Sequence, residues 1–295
     1  MTVRTKDFER HRSLLFSIAY RMLGSIAEAE DVVQEAYLRW REVPEGEVHS
    51  PKSYLSAVVT RLSIDRLRSA RREEYIGPWL PEPLISDRAE ELVAHDELDE
   101  SLSMAFLVLL ESLNPVERAV FLLREVFDYD YEEISSIVRK SEANCRQIAR
   151  RARQSVAARR PRFERSLEKE KMLTERFVEA CMSGDMEGLL ELLSEDVTLW
   201  SDGGGKVQAA RKPVRGAEKV AGFMLRLAQF GAMQGATYQL TTINGQPGMV
   251  AFLNGTPYTA LALDFVEDKI AGIAVVVNPE KLTGLGGRQS VGGSP

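Results

Sequence analysis

The chain has 295 residues, 44% hydrophobic and 28% charged, with a net charge of −6 and two cysteines. These values suit two or three soluble globular domains, at about 150 residues each, and exclude disordered or fibrous classes. With no apolar run of about 18 residues, no N-terminal apolar signal region and only Cys145 and Cys181, the sequence predicts no membrane span, no export, no metal cluster and no disulfide framework. The expected location is cytoplasmic and the expected cofactor and metal content is none. Charge is unevenly spread: Lys52 to Arg72 holds six cations against Asp65, and Arg139 to Arg165 holds ten against Glu142 and Glu164. Local sign governs attraction to phosphates, so two basic patches outweigh the acidic total.

A first helix is expected over residues 8–23, with Leu14, Leu15, Ile18, Ala19 and Met22 inward and Gly24 stopping it. A second is expected around residues 28–40, opened by a Ser25/Glu28 capping box and burying Ala29, Val32, Val33, Ala36, Tyr37 and Trp40. Its other face carries Asp31, Gln34, Glu35 and Leu38, a polar edge with a leucine among its charges. Ser50 and Pro51 then open a third helix running to about Arg72, which completes a small bundle.

From Glu73 to Asp99 the texture is acidic, and Gly77 to Leu84 holds three prolines. Such a segment is extended. It reads either as a plain spacer or as a docked segment, because Trp79, Leu80 and Leu84 gain nothing in water. A second helical block follows. Ser101 to Leu113 is apolar, and Asn114-Pro115-Val116-Glu117 caps a helix to about Phe127. Asp130 caps a short helix, and Arg139-Lys140-Ser141 turns into a basic helix from Glu142 to Ala158 with Cys145, Ile148, Ala149, Ala152 and Val156 inside. A short helix, a three-residue turn and a basic helix make the plan of a helix-turn-helix, though the usual turn glycine is absent.

From Lys171 onward an α+β half is expected. It has helices at 173–182, 186–193 and 216–229, strands at 197–200, 207–210, 238–243, 249–253, 259–265 and 269–277, and hairpin turns at the two Asn-Gly pairs and at Glu267-Asp268. The Gly/Ser-rich end from Thr283 is expected to be disordered.

Catalytic signals are weak. The C-terminal half has no histidine, and Asp202-Gly-Gly-Gly-Lys206 lacks the spacing and the following helix of a phosphate loop. Asp196, Asp202, Asp264, Tyr238 and Tyr258 include possible acids and bases, but no spacing makes them converge. The basic helices say more: Asn144, Arg146 and Gln147 suit base edges, while Arg150, Arg151 and Arg153 suit phosphates.

Four motifs in order resemble the bacterial extracytoplasmic-function (ECF) sigma factors across residues 7–162: Ala29 to Arg39, Val59 to Arg68, Leu113 to Arg118 and Tyr131 to Ile134. The remainder resembles a SnoaL-like domain of the NTF2-like α+β fold. Trp79 to Leu84, Asp202 to Lys206 and Asn278 to Leu282 resemble the signatures of the sigma-factor subgroup that carries this extension. The resemblance implies two all-α domains and an α+β domain with a curled antiparallel sheet. Their expected bounds are 7–74 for the sigma-2 domain, 75–99 for the linker, 100–165 for the sigma-4 domain, 168–282 for the SnoaL-like domain and 283–295 for the tail.

The roles implied by the resemblance are specific. Asp31, Gln34, Glu35 and Leu38 would grip the β′ clamp of core RNA polymerase, whose β and β′ subunits are the expected protein partners. Lys52, Arg61, Asp65, Arg66 and Arg68 would meet the −10 element of promoter DNA. Ser141, Glu142, Asn144, Arg146, Gln147, Arg150 and Arg151 would read the −35 element, with Ala143-Asn144-Cys145 standing where the family often has Gly-Thr-Val. The linker would thread polymerase channels. A regulatory contact in cis is expected among Trp79, Leu80, Pro81, Leu84, Asp202, Gly203, Gly204, Gly205, Lys206, Asn278, Pro279, Lys281 and Leu282. No catalytic residue is expected, and occupancy of the SnoaL-like pocket by a small ligand stays open. The alternatives are a SnoaL-like cyclase or isomerase fused to a DNA-binding module, and a one-component helix-turn-helix regulator.

Overall fold

The computed structural model describes residues 3–44, 46–69, 75–85, 100–157 and 166–285. Arg71 and Arg72 of the first basic patch, most of the acidic linker, the cations after Ala157 and residues 286–295 of the expected disordered tail lie outside them. The chain divides into two compact units. One comprises residues 1–73, 87–102 and 106–162; the other comprises 74–86, 103–105 and 163–295.

The N-terminal unit opens with three helices, α1 (Val3–Leu23), α2 (Ile26–Glu42) and α3 (Pro51–Ser69). The Ser25 hydroxyl accepts from the Glu28 amide, closing the predicted cap of α2. α1 differs from the one-faced helix its periodicity predicts. From Leu15 to Leu23 it is buried all round, polar Ser17 and Arg21 included, as a helix packed on two sides must be. The second side is covered by the later helices of the same unit. After a 3₁₀ turn at Glu100–Leu102 come α4 (Met104–Leu110), α5 (Pro115–Glu125), α6 (Tyr131–Val138) and α7 (Glu142–Ala157).

Arg118 of α5 is buried against α1. It donates to the Met22 carbonyl at 2.6 Å and pairs with Glu111 at 2.7 Å, and burial pulls its guanidinium down to about 10. Arg21 donates to Ser101 at 3.1 Å and lies over the Phe127 ring. The core of the helix-turn-helix, Val120, Leu123, Tyr129, Ile134, Ile137, Cys145, Ile148 and Ala149, takes in Ala57 of α3. The two helical halves therefore share one core.

The C-terminal unit has α8 (Leu167–Ser183), α9 (Met186–Leu192), β1 (Leu193–Asp202), β2 (Val214–Arg215), α10 (Ala217–Met233), β3 (Thr237–Ile243), β4 (Gln246–Leu253), β5 (Thr256–Val266), β6 (Lys269–Val276) and α11 (Pro279–Leu282). Its six-stranded sheet runs β2-β1-β6-β5-β4-β3. The α+β class is the one expected, but the sheet is mixed: β1 pairs with β6 in parallel. Turn chemistry informs only consecutive strands, and β1 and β6 are joined by no hairpin. The strand expected at 207–210 is also absent. The turn after β1 closes by Lys206 and Val207 amides on the Gly203 carbonyl, and pairing with β1 is delayed to Val214–Arg215. α8, α9 and α10 close over one face with Phe177, Leu189, Leu192, Val220 and Met224 against Leu199, Leu261, Ile273 and Val275. Thr283–Leu285 form a 3₁₀ turn with Leu285 buried, so order extends past the expected start of the tail.

Candidate DNA-, polymerase- and linker-binding sites

The helix-turn-helix turns at Arg139, which caps α6 in the left-handed conformation (φ 55°, ψ 52°) where a glycine is usual. Lys140 donates to the Ser135 carbonyl at 3.1 Å, and the Ser141 hydroxyl accepts from the Asn144 amide at 3.3 Å to start α7. Cys145, Ile148, Ala149 and Ala152 face the core, which leaves Ser141, Asn144, Arg146, Gln147, Arg150 and Arg151 exposed, with Glu142 half-buried. Arg146 is held by Glu142 at 2.6 Å and lies over the Tyr131 ring. Arg153, expected to meet phosphate, instead makes a two-pronged pair with Glu125 of α5 at 2.6 and 3.1 Å.

On α2, Asp31, Gln34 and Leu38 are exposed and Glu35 is half-buried. Asp31 faces Arg66 at 3.5 Å, and Glu35 pairs with Arg39 at 2.7 Å. On α3 the expected −10 residues are partly engaged. Arg61 donates to the carbonyls of Ile137 (2.9 Å) and Ser136 (2.8 Å) at the end of α6; burial lowers its pKa, and Arg139 lowers it further. Lys52 lies over the Tyr129 ring, whose hydroxyl donates to Ser56 at 2.7 Å. Ser53 donates to Glu133. Asp65 and Arg68 stand exposed, 3.8 Å apart.

In the C-terminal unit Leu80, Gly204, Asn278 and Lys281 of the expected regulatory set bond to Asp202, which is fully buried. Its Oδ1 accepts from the Tyr75 hydroxyl (2.5 Å) and the Gly204 amide (3.0 Å); its Oδ2 accepts from the Leu80 amide and Lys281 Nζ, both at 2.8 Å. Its backbone carbonyl takes the Val277 and Asn278 amides. Lys281 also donates to the Leu80 carbonyl and sits between the rings of Trp79 (4.4 Å) and Tyr75 (5.0 Å). Asn278 donates to the Tyr75 hydroxyl at 3.2 Å and caps α11. The glycines are demanded by this geometry. Gly204 and Gly205 have φ of 58° and 73°, and an added Cβ would come within 2.3 Å of Asn278 and 2.9 Å of Ile76.

Leu80 and Leu84 are fully buried and Pro81 is buried, whereas Trp79 is half-buried. Residues 75–85 thus form a strap belonging to this unit. Leu282 is buried, Pro279 and Lys206 are exposed, and Lys206 pairs with Glu280. Sequence reasoning missed Tyr75 and Asn244. Asn244 exchanges bonds with Leu84, its Oδ1 accepting the Leu84 amide (2.9 Å) and its amide reaching the Leu84 carbonyl (2.7 Å) beside the Ile85–Ile243 bridge. Its Asn-Gly setting announced a hairpin turn, and its second use left no mark in the sequence. Burial and Asp202 hold the Tyr75 phenol well above its ordinary range.

A capped helix-turn-helix with an exposed polar edge thus shares one unit with a three-helix bundle, and both parts match Sigma-70 family regions. Residues 8–73 match Sigma-70 region 2, and residues 103–156 match Sigma-70 region 4. The chain belongs to the ECF RNA polymerase sigma factors. It is 36% identical to the ECF RNA polymerase sigma factor SigJ of Mycobacterium tuberculosis, over 96% of this chain and 94% of that one. It is 34% identical to the probable ECF sigma factor SigI of the same organism, over 96% and 95%. The crystal structure of SigJ superposes with a TM-score of 0.77 at 33% identity, covering 95% of this chain and 98% of that one.

Proposed function

We propose that the chain is a promoter-specificity subunit that binds core RNA polymerase and directs initiation, under the control of its own C-terminal unit. The observation that carries this reading is the exposed edge of α7, where Asn144, Gln147, Arg150 and Arg151 stand clear behind a turn that fixes the helix on its core. α2 offers the polymerase dock through Asp31, Gln34, Glu35 and Leu38, and α3 takes the −10 strand.

The arrangement of the N-terminal unit supports a resting state. Arg61, needed for the −10 strand, is spent on two carbonyls of α6, and the Tyr129–Ser56 bond closes the same seam. Engaging a promoter requires that seam to part. The linker is withheld as well. Undocked, the eleven residues 75–85 reach roughly 36–40 Å fully extended, but with Leu80 and Leu84 paired to Asp202 and Asn244 they cannot line a polymerase channel. The C-terminal unit thus controls initiation by holding or releasing the strap.

Run-off transcription with purified core polymerase over a promoter library tests the function. Template-dependent initiation by the intact chain is the expected result. DNA binding without initiation would identify a one-component regulator instead.

A further inference from the structure

The C-terminal unit contains a cavity that neither the strap nor the DNA-binding helices use. It lies between α8, α10 and strands β3 to β5 and opens to solvent. Its walls are Phe177, Cys181, Met224, Leu227, Met249 and Leu261, and none of its described lining residues is Asp, Glu, Lys, Arg or His. Burial pushes the Cys181 thiol up to about 12, so it lines the wall as a neutral group.

Four lining residues carry hydroxyls: Thr237 and Tyr238 are exposed, whereas the consecutive pair Tyr258 and Thr259 is half-buried and buried. Ala251 faces Thr259 across β4 and β5, whereas the next residue, Phe252, faces Pro257, so Tyr258 is the extra residue of a bulge. Successive strand residues ordinarily point to opposite faces; the bulge lets Tyr258 and Thr259 both line the cavity. Gly231 leaves room for this, since a Cβ there would come 2.3 Å from the Tyr258 hydroxyl. Burial raises the Tyr258 phenol and Thr259 opposes that rise, so the phenol stays a neutral donor, yet no hydrogen bond of ordinary geometry satisfies the buried Thr259 hydroxyl. An orphaned hydroxyl on an apolar wall gains from a ligand oxygen placed against it.

We infer that this cavity binds a neutral, mainly apolar small molecule bearing one hydroxyl or carbonyl oxygen. An ionised ligand would be stripped of water with no counter-charge on the wall. A purely apolar one would fill the space but leave the buried Thr259 hydroxyl without a bond of ordinary geometry. The inference concerns binding alone and does not depend on how the strap is controlled.

The test uses the full-length chain and three probes of one shape: 2-naphthol, naphthalene and naphthalene-2-sulfonate, titrated by fluorescence. The expected result is saturable one-to-one binding of 2-naphthol, about tenfold tighter than naphthalene, as one added hydrogen bond of ordinary strength gives, with no binding of the sulfonate. Ala228→Trp, on the half-buried wall of α10, fills the cavity and abolishes binding of both neutral probes. The near-isosteric double variant Tyr258→Phe, Thr259→Val keeps naphthalene binding and loses the preference for 2-naphthol. Failure of 2-naphthol to saturate, binding of the sulfonate as tightly as of naphthol, or a preference that survives in the double variant would each overturn the inference.

Discussion

Asp202→Asn is the most informative perturbation of the strap. The substitution keeps the size of the side chain and removes its charge. Asp202 accepts two hydrogen bonds on each oxygen, all four from donors. An asparagine must turn its NH₂ toward one of those donor pairs, so two bonds are lost whichever way it flips. Lys281, only 13% exposed, is left without its counter-charge. Breaking a buried ion pair from one side costs about 3–5 kcal/mol. Lys281 retains the Leu80 carbonyl and the faces of Tyr75 and Trp79, which offset roughly 1–2 kcal/mol of that. The strap should therefore be loosened by about 2–3 kcal/mol, or about 30- to 150-fold in its opening equilibrium. Hydrogen exchange at the Leu80 and Leu84 amides reads this directly. Exchange should accelerate by that factor there while the β5–β6 amides stay protected. Unchanged protection at Leu80, or an equal loss across the whole sheet, would refute the reasoning.

Other expectations are independent of that one. Arg139→Gly relieves a left-handed arginine, worth about 1–2 kcal/mol, against about 0.4–1 kcal/mol of added unfolded-state freedom; urea denaturation should show a gain of roughly 0.5–1 kcal/mol. Asp31→Ala with Gln34→Ala should abolish binding to core polymerase in a pull-down, yet change stability by less than about 1 kcal/mol, because the Asp31–Arg66 pair is exposed. Tyr75 gives a pH signature. Its docked phenol is held above the ordinary value of 10.0, so above pH 10 the released phenol binds fewer protons than the docked one. Docking is then fully supported below pH 10 and weakens as pH rises beyond it. Denaturation midpoints should fall more steeply above pH 10 for the native chain than for Tyr75→Phe.

The sequence carried the elements better than their assembly. Caps at Ser25, Asn114 and Asp130 announced helix starts because a side chain bonding an amide three residues on is a local event. The apolar stripe of α7 separated its buried face from its exposed polar edge for the same reason. Burial on the second side of α1 could not be read, since Ser17 and Arg21 look solvated until Ser101 and Phe127 come against them. The parallel β1–β6 pair was hidden because no turn connects those strands. Arg139 hid the turn conformation behind a residue that seldom adopts it. The strap falls between these cases. Trp79, Leu80 and Leu84 signalled a need for burial, whereas Tyr75 and Asn244, which fix its ends, looked like an ordinary linker residue and an ordinary hairpin residue.

The claim that the C-terminal unit withholds the linker is tested most directly by hydrogen exchange over residues 75–85, in the free chain and in its complex with core RNA polymerase on promoter DNA. Strong protection of Leu80 and Leu84 in the free chain, lost in the initiating complex, is the predicted result. Protection retained at both amides in a complex that transcribes would contradict it.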